Sequence, residues 1–155
     1  MDRLYFDDIR EGDILDGVSH QITREEIIGF AQEFDPQPFH IDEEAANKSA
    51  FGGLTASGAH TAALQIKLIY QQARESGRPF AVVAGLGWDE VRFKSPVRPN
   101  DLISLRMECV EARASESKPD RGITRWHVTL ENQNGEVVLS NYHSVIISKR
   151  KSDNE

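Results

Sequence analysis

The fold is decided by one long stretch, SGAHTAALQIKLIYQQARES, which runs from Ser57 to Ser76. Small and apolar residues recur along it at a spacing of about 3.6 residues, which places them on one face of an α-helix. The positions of that face are Ala59, Ala62, Ala63, Ile66, Ile69, Tyr70 and Ala73. Leu64 and Leu68 widen it, and Gly77 is a typical residue just after a helix end. The pattern predicts a long central helix that other elements cover on most sides.

Outside this helix the chain alternates polar and apolar residues with a period of two, which is the spacing of half-buried strands. Five strands are predicted, near residues 13–20, 80–94, 103–109, 125–130 and 137–147. The second is broken around Gly85 and Gly87, and Asn134-Gly135 predicts a type I′ hairpin turn between the last two. We therefore expect an α+β fold in which one curved antiparallel sheet wraps round the long helix. A single domain over residues 1–150 precedes a frayed polar tail at 151–155.

Two shorter helices are predicted before the long one. Thr23 and Glu26 form a capping-box signature for a helix over about 24–34, which ends before a proline. Asp42 is placed to cap a second helix that runs through Asn47.

Length and composition restrict the class of protein. The chain has 155 residues, of which 39% are hydrophobic and 28% charged, and this suits one packed domain. A net charge of −7 argues against a general nucleic-acid binder, and no apolar run is long enough to span a membrane. The acidic N-terminus lacks the order of a signal peptide. Cys109, the only cysteine, is expected in the core and fits a reducing, cytoplasmic location.

The segment DPQPFH, residues 35–40, holds the candidate chemistry. A carboxylate and an imidazole stand five residues apart, and two prolines between them fix two φ angles and keep the spacer out of a helix interior. Such a stiff loop suits a pair of proton-transfer groups. The alternative is that Asp35 and His40 only cap backbone groups after a helix. Composition alone favours this alternative at least as much as a catalytic role. The two prolines favour the functional interpretation, because they imply a loop with a defined conformation.

A glycine-rich segment, FGGLTASGAH at residues 51–60, leads into the long helix. Free N–H groups at a helix start attract a polarised carbonyl, and Gly58 lets a ligand approach the backbone closely. A second interpretation, in which Ser57 is the helix N-cap, is compatible with the first. Ser57 as a nucleophile is disfavoured, because Thr55 stands where the strained Gly-x-Ser-x-Gly turn needs a glycine.

A metal site is poorly supported by the sequence. His40, Asp42 and Glu43 are near one another in the chain, but no second histidine follows at i+4 and no cysteine pair exists. The other isolated histidines, His20, His127 and His143, are expected to be structural. We therefore predict no metal.

Taken together, these motifs resemble the MaoC-like acyl dehydratases, the group of (R)-specific enoyl-CoA hydratases with the hot-dog fold. The family pattern is roughly D-x-N-P-x-H, then an acidic residue, then F-G-x-x-I-A-H-G. The same order stands here at residues 35–40, at Asp42 and at residues 51–58. Residues 91–101 and 132–138 also resemble family segments, so the likeness covers nearly the whole chain.

The resemblance implies a reaction and a site. Asp35 and His40 match the catalytic pair, which holds a water that adds across the α,β double bond of an acyl thioester. Gly58 matches the glycine whose backbone N–H polarises the thioester carbonyl. The residues expected to bind substrate are Gln37, Phe51 and Ser57, of which Gln37 and Ser57 replace the asparagine and histidine usual in the family.

The same resemblance implies the partners. The substrate is an acyl-CoA or acyl-carrier thioester, coenzyme A is part of the substrate, and no metal or redox cofactor is needed. The protein is expected to form a homodimer or a higher homo-oligomer by joining sheets edge to edge. Candidate cations for the coenzyme A phosphates are Lys67, Arg74, Lys94 and Arg98.

Two other functions fit the same fold. A thioesterase would release a free thiol, whereas hydration leaves the thioester intact, and the fold does not decide between them. A non-catalytic acyl-binding subunit is suggested by the changed residues Gln37 and Ser57. The survival of both Asp35 and His40 favours the hydro-lyase.

Overall fold

The computed structural model of the chain describes residues 2–151, so the predicted tail lies, apart from Lys151, outside the described residues. A 3-10 turn at Phe6–Asp8 precedes the helices α1 (Arg24–Phe34), α2 (Pro38–Ile41), α3 (Glu43–Asn47) and α4 (Gly58–Glu75). The strands are β1 (Ile14–Gln21), β2 (Val82–Phe93), β3 (Leu102–Ala114), β4 (Arg121–Glu131) and β5 (Val137–Ser148).

All five strands form one antiparallel sheet in the order β1-β3-β4-β5-β2. Leu68 of α4 is fully buried in the same core cluster as Ile103 of β3 and Val128 of β4. Full burial of one such aliphatic side chain stabilises the fold by about 1.5–3 kcal/mol. Along β3, buried apolar residues alternate with polar ones from Ile103 to Cys109, as the period of two predicts. A sheet wrapped round one long helix is the hot-dog arrangement, so the predicted fold class is confirmed.

The long helix begins and ends where the sequence predicted, but its coverage differs. Leu64 and Leu68 are buried as expected, together with the polar residues Thr61 and Gln65. Tyr70 is 66% exposed. The prediction that most sides are covered is therefore wrong, because Ala59, Ala63 and Tyr70 of the predicted apolar face are exposed, whereas Leu64, Leu68 and the two polar residues form the buried face.

The hairpin between β4 and β5 has a different turn from the predicted type I′. A type I′ turn needs positive φ at both central residues, and here Gly135 has φ +73° whereas Asn134 does not. The Gly135 N–H donates to the Asn132 carbonyl at 3.1 Å, which closes a three-residue loop. The Asn132 side-chain oxygen accepts bonds from the N–H groups of Asn134 and Glu136 at 3.0 and 3.1 Å. This side chain holds the loop in the longer form.

The segments before α4 follow their capping signals. The Thr23 hydroxyl accepts from the Glu26 N–H, and Asp42 caps α3 by accepting from the Ala45 N–H. The sequence did not predict α2, which has Pro38 at its first position, where a missing N–H costs nothing. None of the helices within residues 2–151 combines the length and the apolarity needed to cross a membrane.

Candidate active site

The two prolines of residues 35–40 end one helix and start the next. Asp35 is the C-cap of α1, and its N–H donates to the Ala31 carbonyl at 2.9 Å. Pro38 then begins α2, which carries His40. This short reversal brings the two side chains together, with Asp35 Oδ2 3.5 Å from His40 Nε2. The separation is longer than a direct hydrogen bond of about 2.7–3.2 Å.

The imidazole of His40 is held in one orientation from its far side. His40 is 6% exposed, and its Nδ1 lies 2.6 Å from the Thr55 carbonyl oxygen. Because a carbonyl only accepts, Nδ1 carries the proton. In the neutral ring, Nε2 therefore presents a lone pair towards Asp35. This is the arrangement that a general base requires.

The carboxylate of Asp35 is supported by Ser57. The Ser57 hydroxyl donates to Asp35 Oδ2 at 2.6 Å and accepts from the Ala59 N–H at 3.2 Å. Ser57 itself is completely buried. The N-cap of α4 thus also fixes the carboxylate, so the site and the helix start are one hydrogen-bonded unit.

A cavity of about 350 Å³ opens beside this unit and is lined by His40, Gly58, Phe51, Phe93 and Lys94, among others. Gly58 is the first residue of α4, and its N–H has no hydrogen-bond acceptor within residues 2–151. A side chain at this position would meet the Phe93 ring at 3.0 Å. An alanine methyl group here would press on the Phe93 ring, and the Gly58 N–H stays available to a ligand carbonyl.

The predicted site residues divide into two groups. The cavity wall includes His40, Gly58 and Phe51, whereas Asp35 and Ser57 do not line it and belong to the hydrogen-bonded unit at His40. Gln37 is exposed at the N-cap of α2, and its side chain makes no capping bond. The substrate-binding roles of Gln37, Phe51 and Ser57 stay predictions.

Sequence reasoning missed the role of Arg98. Its guanidinium donates to the carbonyls of Phe51, Gly53 and Leu54, the last two at 2.8 and 3.3 Å. Arg98 thus clamps the glycine-rich segment just before Thr55, the partner of His40. Because the Arg98 guanidinium is occupied by these three carbonyls, it is not available to a phosphate.

The other predicted cations have different surroundings. Lys94 lines the cavity. Lys67 Nζ lies 3.3 Å from His20 Nδ1, and Arg74 is exposed in the last turn of α4. Lys94 is therefore the cation best placed to meet the anionic part of a ligand in this cavity.

The residues considered for a metal site have structural contacts. Asp42 caps α3, and Glu43 accepts a bond from Arg24 at 2.8 Å. Across residues 2–151, no group of three or more His, Cys, Asp or Glu side chains is arranged to hold a metal ion. Independence of a cofactor stays a prediction.

A family model described as "MaoC like domain" matches residues 10–132 of the chain. Among curated proteins, the chain is 29% identical over 143 residues to the uncharacterised protein YdeM of Bacillus subtilis (strain 168), with 92% of this chain and 98% of that protein covered. It is also 27% identical over 109 residues to the 3-hydroxybutyryl-CoA dehydratase of Methylorubrum extorquens, with 70% of this chain and 65% of that protein covered.

Solved structures resemble the chain along nearly its whole length. The crystal structure of a MaoC-like dehydratase from Rhodospirillum rubrum superposes with a TM-score of 0.86 at 37% identity, covering 96% of this chain and 99% of that one. A Mycobacterium tuberculosis protein with a double hot-dog fold gives a TM-score of 0.77 at 19% identity, covering 99% of this chain and 46% of that one. The second likeness concerns the fold alone.

Proposed function

Because the chain belongs to the MaoC-like domain family, we propose that it is a hydro-lyase that adds water to an enoyl thioester or removes water from an (R)-3-hydroxyacyl thioester. The observation that carries the proposal is the convergence of Asp35 and His40, 3.5 Å apart, beside a cavity that also holds the start of α4. The 3-hydroxybutyryl-CoA dehydratase of Methylorubrum extorquens, to which the chain is similar, supports an acyl-CoA substrate.

In the proposed hydration, His40 acts as the base. Its Nε2 lone pair takes a proton from a water that is hydrogen-bonded to both Nε2 and the Asp35 carboxylate, and the hydroxyl adds to Cβ of the enoyl group. The proton on Nε2 is then delivered to Cα on the same face, which returns the ring to its starting state. Asp35, fixed by Ser57, stabilises the transient imidazolium.

Gly58 supplies the electrophilic half of the proposed reaction. Addition to Cβ pushes negative charge onto the thioester oxygen. The free Gly58 N–H at the positive end of α4 donates to that oxygen. A preorganised donor of this kind lowers the barrier because it strengthens as charge develops.

The experiment that tests the proposal follows two signals from one reaction. Purified protein is mixed with crotonyl-CoA, and the loss of enoyl absorbance is recorded together with the appearance of free thiol. We expect absorbance to fall without thiol release. Thiol release would identify a thioesterase, and binding without either signal would identify an acyl-binding subunit.

Substituting Gly58 tests the carbonyl site. We expect Gly58→Ala to lower kcat/KM about 10²-fold, because the new methyl group displaces the Phe93 ring and shifts the thioester, and misplacement by about 1 Å has that cost. Gly29→Ala is the matched control, since nothing lies within 4 Å of its new methyl group in α1. Equal rates for the two variants would contradict the expectation that a methyl group at residue 58 displaces the thioester.

We further propose that the protein is a homodimer formed through β2. This strand is an edge of the sheet, and all its residues except Val91 are exposed, including Leu86 at 55% and Trp88 at 43%. A long apolar edge with unpaired backbone groups is a template for a second strand. Pairing of two β2 strands would cover it and continue the sheet into the partner.

Leu86→Lys tests this edge. We expect the variant to sediment as a single chain where the parent sediments as a pair, because the introduced charge would be buried in the paired edge. Ile14→Lys is the control, since Ile14 is 48% exposed on β1 at the opposite edge. Dissociation by Ile14→Lys and not by Leu86→Lys would place the interface elsewhere.

The remaining expectations concern the cellular location, the cofactors and the acyl carrier of the substrate. A cytoplasmic location and independence of metal and redox cofactors stay predictions. Lys94 at the cavity is our proposed contact for the anionic part of coenzyme A or of a carrier's phosphopantetheine group.

A further inference from the structure

The segment from Phe51 to Ser57 orients both members of the candidate pair, yet it has no helix or strand of its own. The Thr55 carbonyl accepts from His40 Nδ1 at 2.6 Å, and the Ser57 hydroxyl donates to Asp35 at 2.6 Å. A segment without the repeating hydrogen bonds of regular structure keeps its shape only where other groups bind its backbone. The residues that bind this backbone therefore affect the site indirectly.

Arg98 binds three carbonyls of the segment through one side chain. Its guanidinium donates to Phe51, Gly53 and Leu54, and the bonds to Gly53 and Leu54 share Nη1 at 2.8 and 3.3 Å. Because a planar guanidinium offers its donors in a fixed fork, three such bonds define where the segment lies. The Leu54 carbonyl belongs to the peptide group that joins Leu54 to Thr55, so the fork reaches the residue next to the partner of His40.

The backbone of Arg98 is itself held in a fixed turn. The Asp101 N–H donates to the Arg98 carbonyl at 3.1 Å, and Asp101 Oδ2 accepts from the Arg98 N–H at 2.8 Å. Asp101 is buried, and its other carboxylate oxygen accepts from Gln133 Nε2 at 2.9 Å. Gln133 lies in the loop between β4 and β5. The guanidinium is therefore presented to the 51–55 backbone from a turn that is bonded to the sheet.

The position of the Thr55 carbonyl decides which ring nitrogen of His40 carries the proton. Two acceptors compete for it, the Thr55 carbonyl 2.6 Å from Nδ1 and the Asp35 carboxylate 3.5 Å from Nε2. At equal distance the carboxylate would win, because a hydrogen bond to a charged group is roughly twice as strong as one between neutral groups. Thr55 holds the proton on Nδ1 because its carbonyl is the closer of the two.

A small movement of the segment would reverse this outcome. Withdrawal of the Thr55 carbonyl by about 1 Å would take it beyond hydrogen-bond distance of Nδ1. The proton would then pass to Nε2, where the Asp35 carboxylate accepts it. His40 would lose the lone pair that the proposed reaction uses.

We propose that Arg98 is a positioning residue for the active site, whose guanidinium fixes the 51–55 backbone and so keeps His40 in the tautomer with a free Nε2 lone pair. The inference rests on the proposed function for its effect on rate, but the tautomer can be observed without any turnover. A role for Arg98 in stability alone predicts a lower melting temperature and an unchanged His40.

Nitrogen-15 NMR of protein labelled in histidine tests the tautomer, at a pH where the imidazole is neutral. A ring nitrogen with a proton and one with a lone pair resonate far apart, and the His40 signals are those absent from His40→Asn. We expect a proton on Nδ1 in the wild type and a signal from protonated Nε2 in Arg98→Ala. Thermal unfolding verifies that the variant is folded. An unchanged tautomer in folded Arg98→Ala would overturn the proposal.

The rate of crotonyl-CoA hydration gives the second test. We expect Arg98→Ala to lower kcat about 10²-fold with a smaller change in KM, the cost of misplacing a reacting group by about 1 Å. Arg98→Lys keeps the charge without the planar fork, so it should also show protonated Nε2 and a reduced kcat. Arg113→Ala is the matched control, because Arg113 is exposed on β3 and pairs with Glu111 at 3.1 Å. Parental kcat in Arg98→Lys, or an equal loss in Arg113→Ala, would contradict a role for the fork.

The two measurements separate this inference from the proposed function. If no enoyl thioester is hydrated but the tautomer changes in Arg98→Ala, the positioning role stands and the hydro-lyase assignment falls. If the wild type hydrates crotonyl-CoA and folded Arg98→Ala keeps the parental tautomer and kcat, the positioning role falls and the assignment stands.

Discussion

We expect His40→Ala to lower kcat/KM for crotonyl-CoA hydration by about 10²–10⁴-fold, the contribution of a positioned general base. The ring is buried, and the bond from its Nδ1 to the Thr55 carbonyl fixes which nitrogen faces Asp35. Alanine removes the base and leaves the Thr55 carbonyl without its partner, which destabilises the fold by about 1 kcal/mol. The measurement is the initial rate of enoyl absorbance loss, with thermal unfolding as the check on folding.

Two further variants separate chemistry from structure at His40. His40→Asn places an amide N–H where Nδ1 was, so it can still donate to Thr55 but has no base at the position of Nε2. It should be as inactive as alanine and more stable. His127→Ala removes a histidine of β4 that bonds to Ser140 and stacks on Tyr142, and should leave the rate unchanged. A His40→Asn enzyme with near-parental activity would show that the imidazole is structural.

The second large effect is expected for Asp35→Asn, which should lower kcat by about 10²-fold or more with a small change in KM. Asparagine keeps the shape of the side chain and an oxygen that can accept the Ser57 hydroxyl. It loses the negative charge that stabilises protonated His40. Asp42→Asn is the matched control, because Asn and Asp cap a helix equally well. Equal activity in both variants would exclude an electrostatic role for Asp35.

Local signals in the sequence located most of the fold. The capping residues Thr23, Asp42 and Ser57 mark the starts of three helices, and each accepts the predicted backbone bond. The period of two in β3 likewise identified its buried face. These features depend on residues within a few positions of one another, which is why they can be predicted from sequence.

The features that sequence reasoning missed depend on distant pairs. Thr55 is 15 residues from His40, Arg98 is 45 residues from Gly53, and Gln133 is 32 residues from Asp101. No local pattern specifies such partners. The predicted type I′ turn at Asn134-Gly135 was wrong for a related reason. The bonds that the Asn132 side chain accepts stabilise a longer loop than the Asn-Gly pair alone predicts.

The candidate pair itself was found because its two members are close in sequence and separated by prolines. What the sequence did not indicate was how the pair is oriented. Pro38 starts a helix, and this helix turns His40 back towards Asp35. Ser57, which departs from the family pattern, supports the carboxylate directly.

The most direct test of the account follows oxygen from isotopically labelled water. Crotonyl-CoA is incubated with the protein in water enriched in oxygen-18, and the products are analysed by mass spectrometry. We predict an intact 3-hydroxybutyryl thioester with one labelled oxygen on C3 and none in the carbonyl. Label in a free carboxylate together with unacylated coenzyme A would contradict the account and identify a thioesterase.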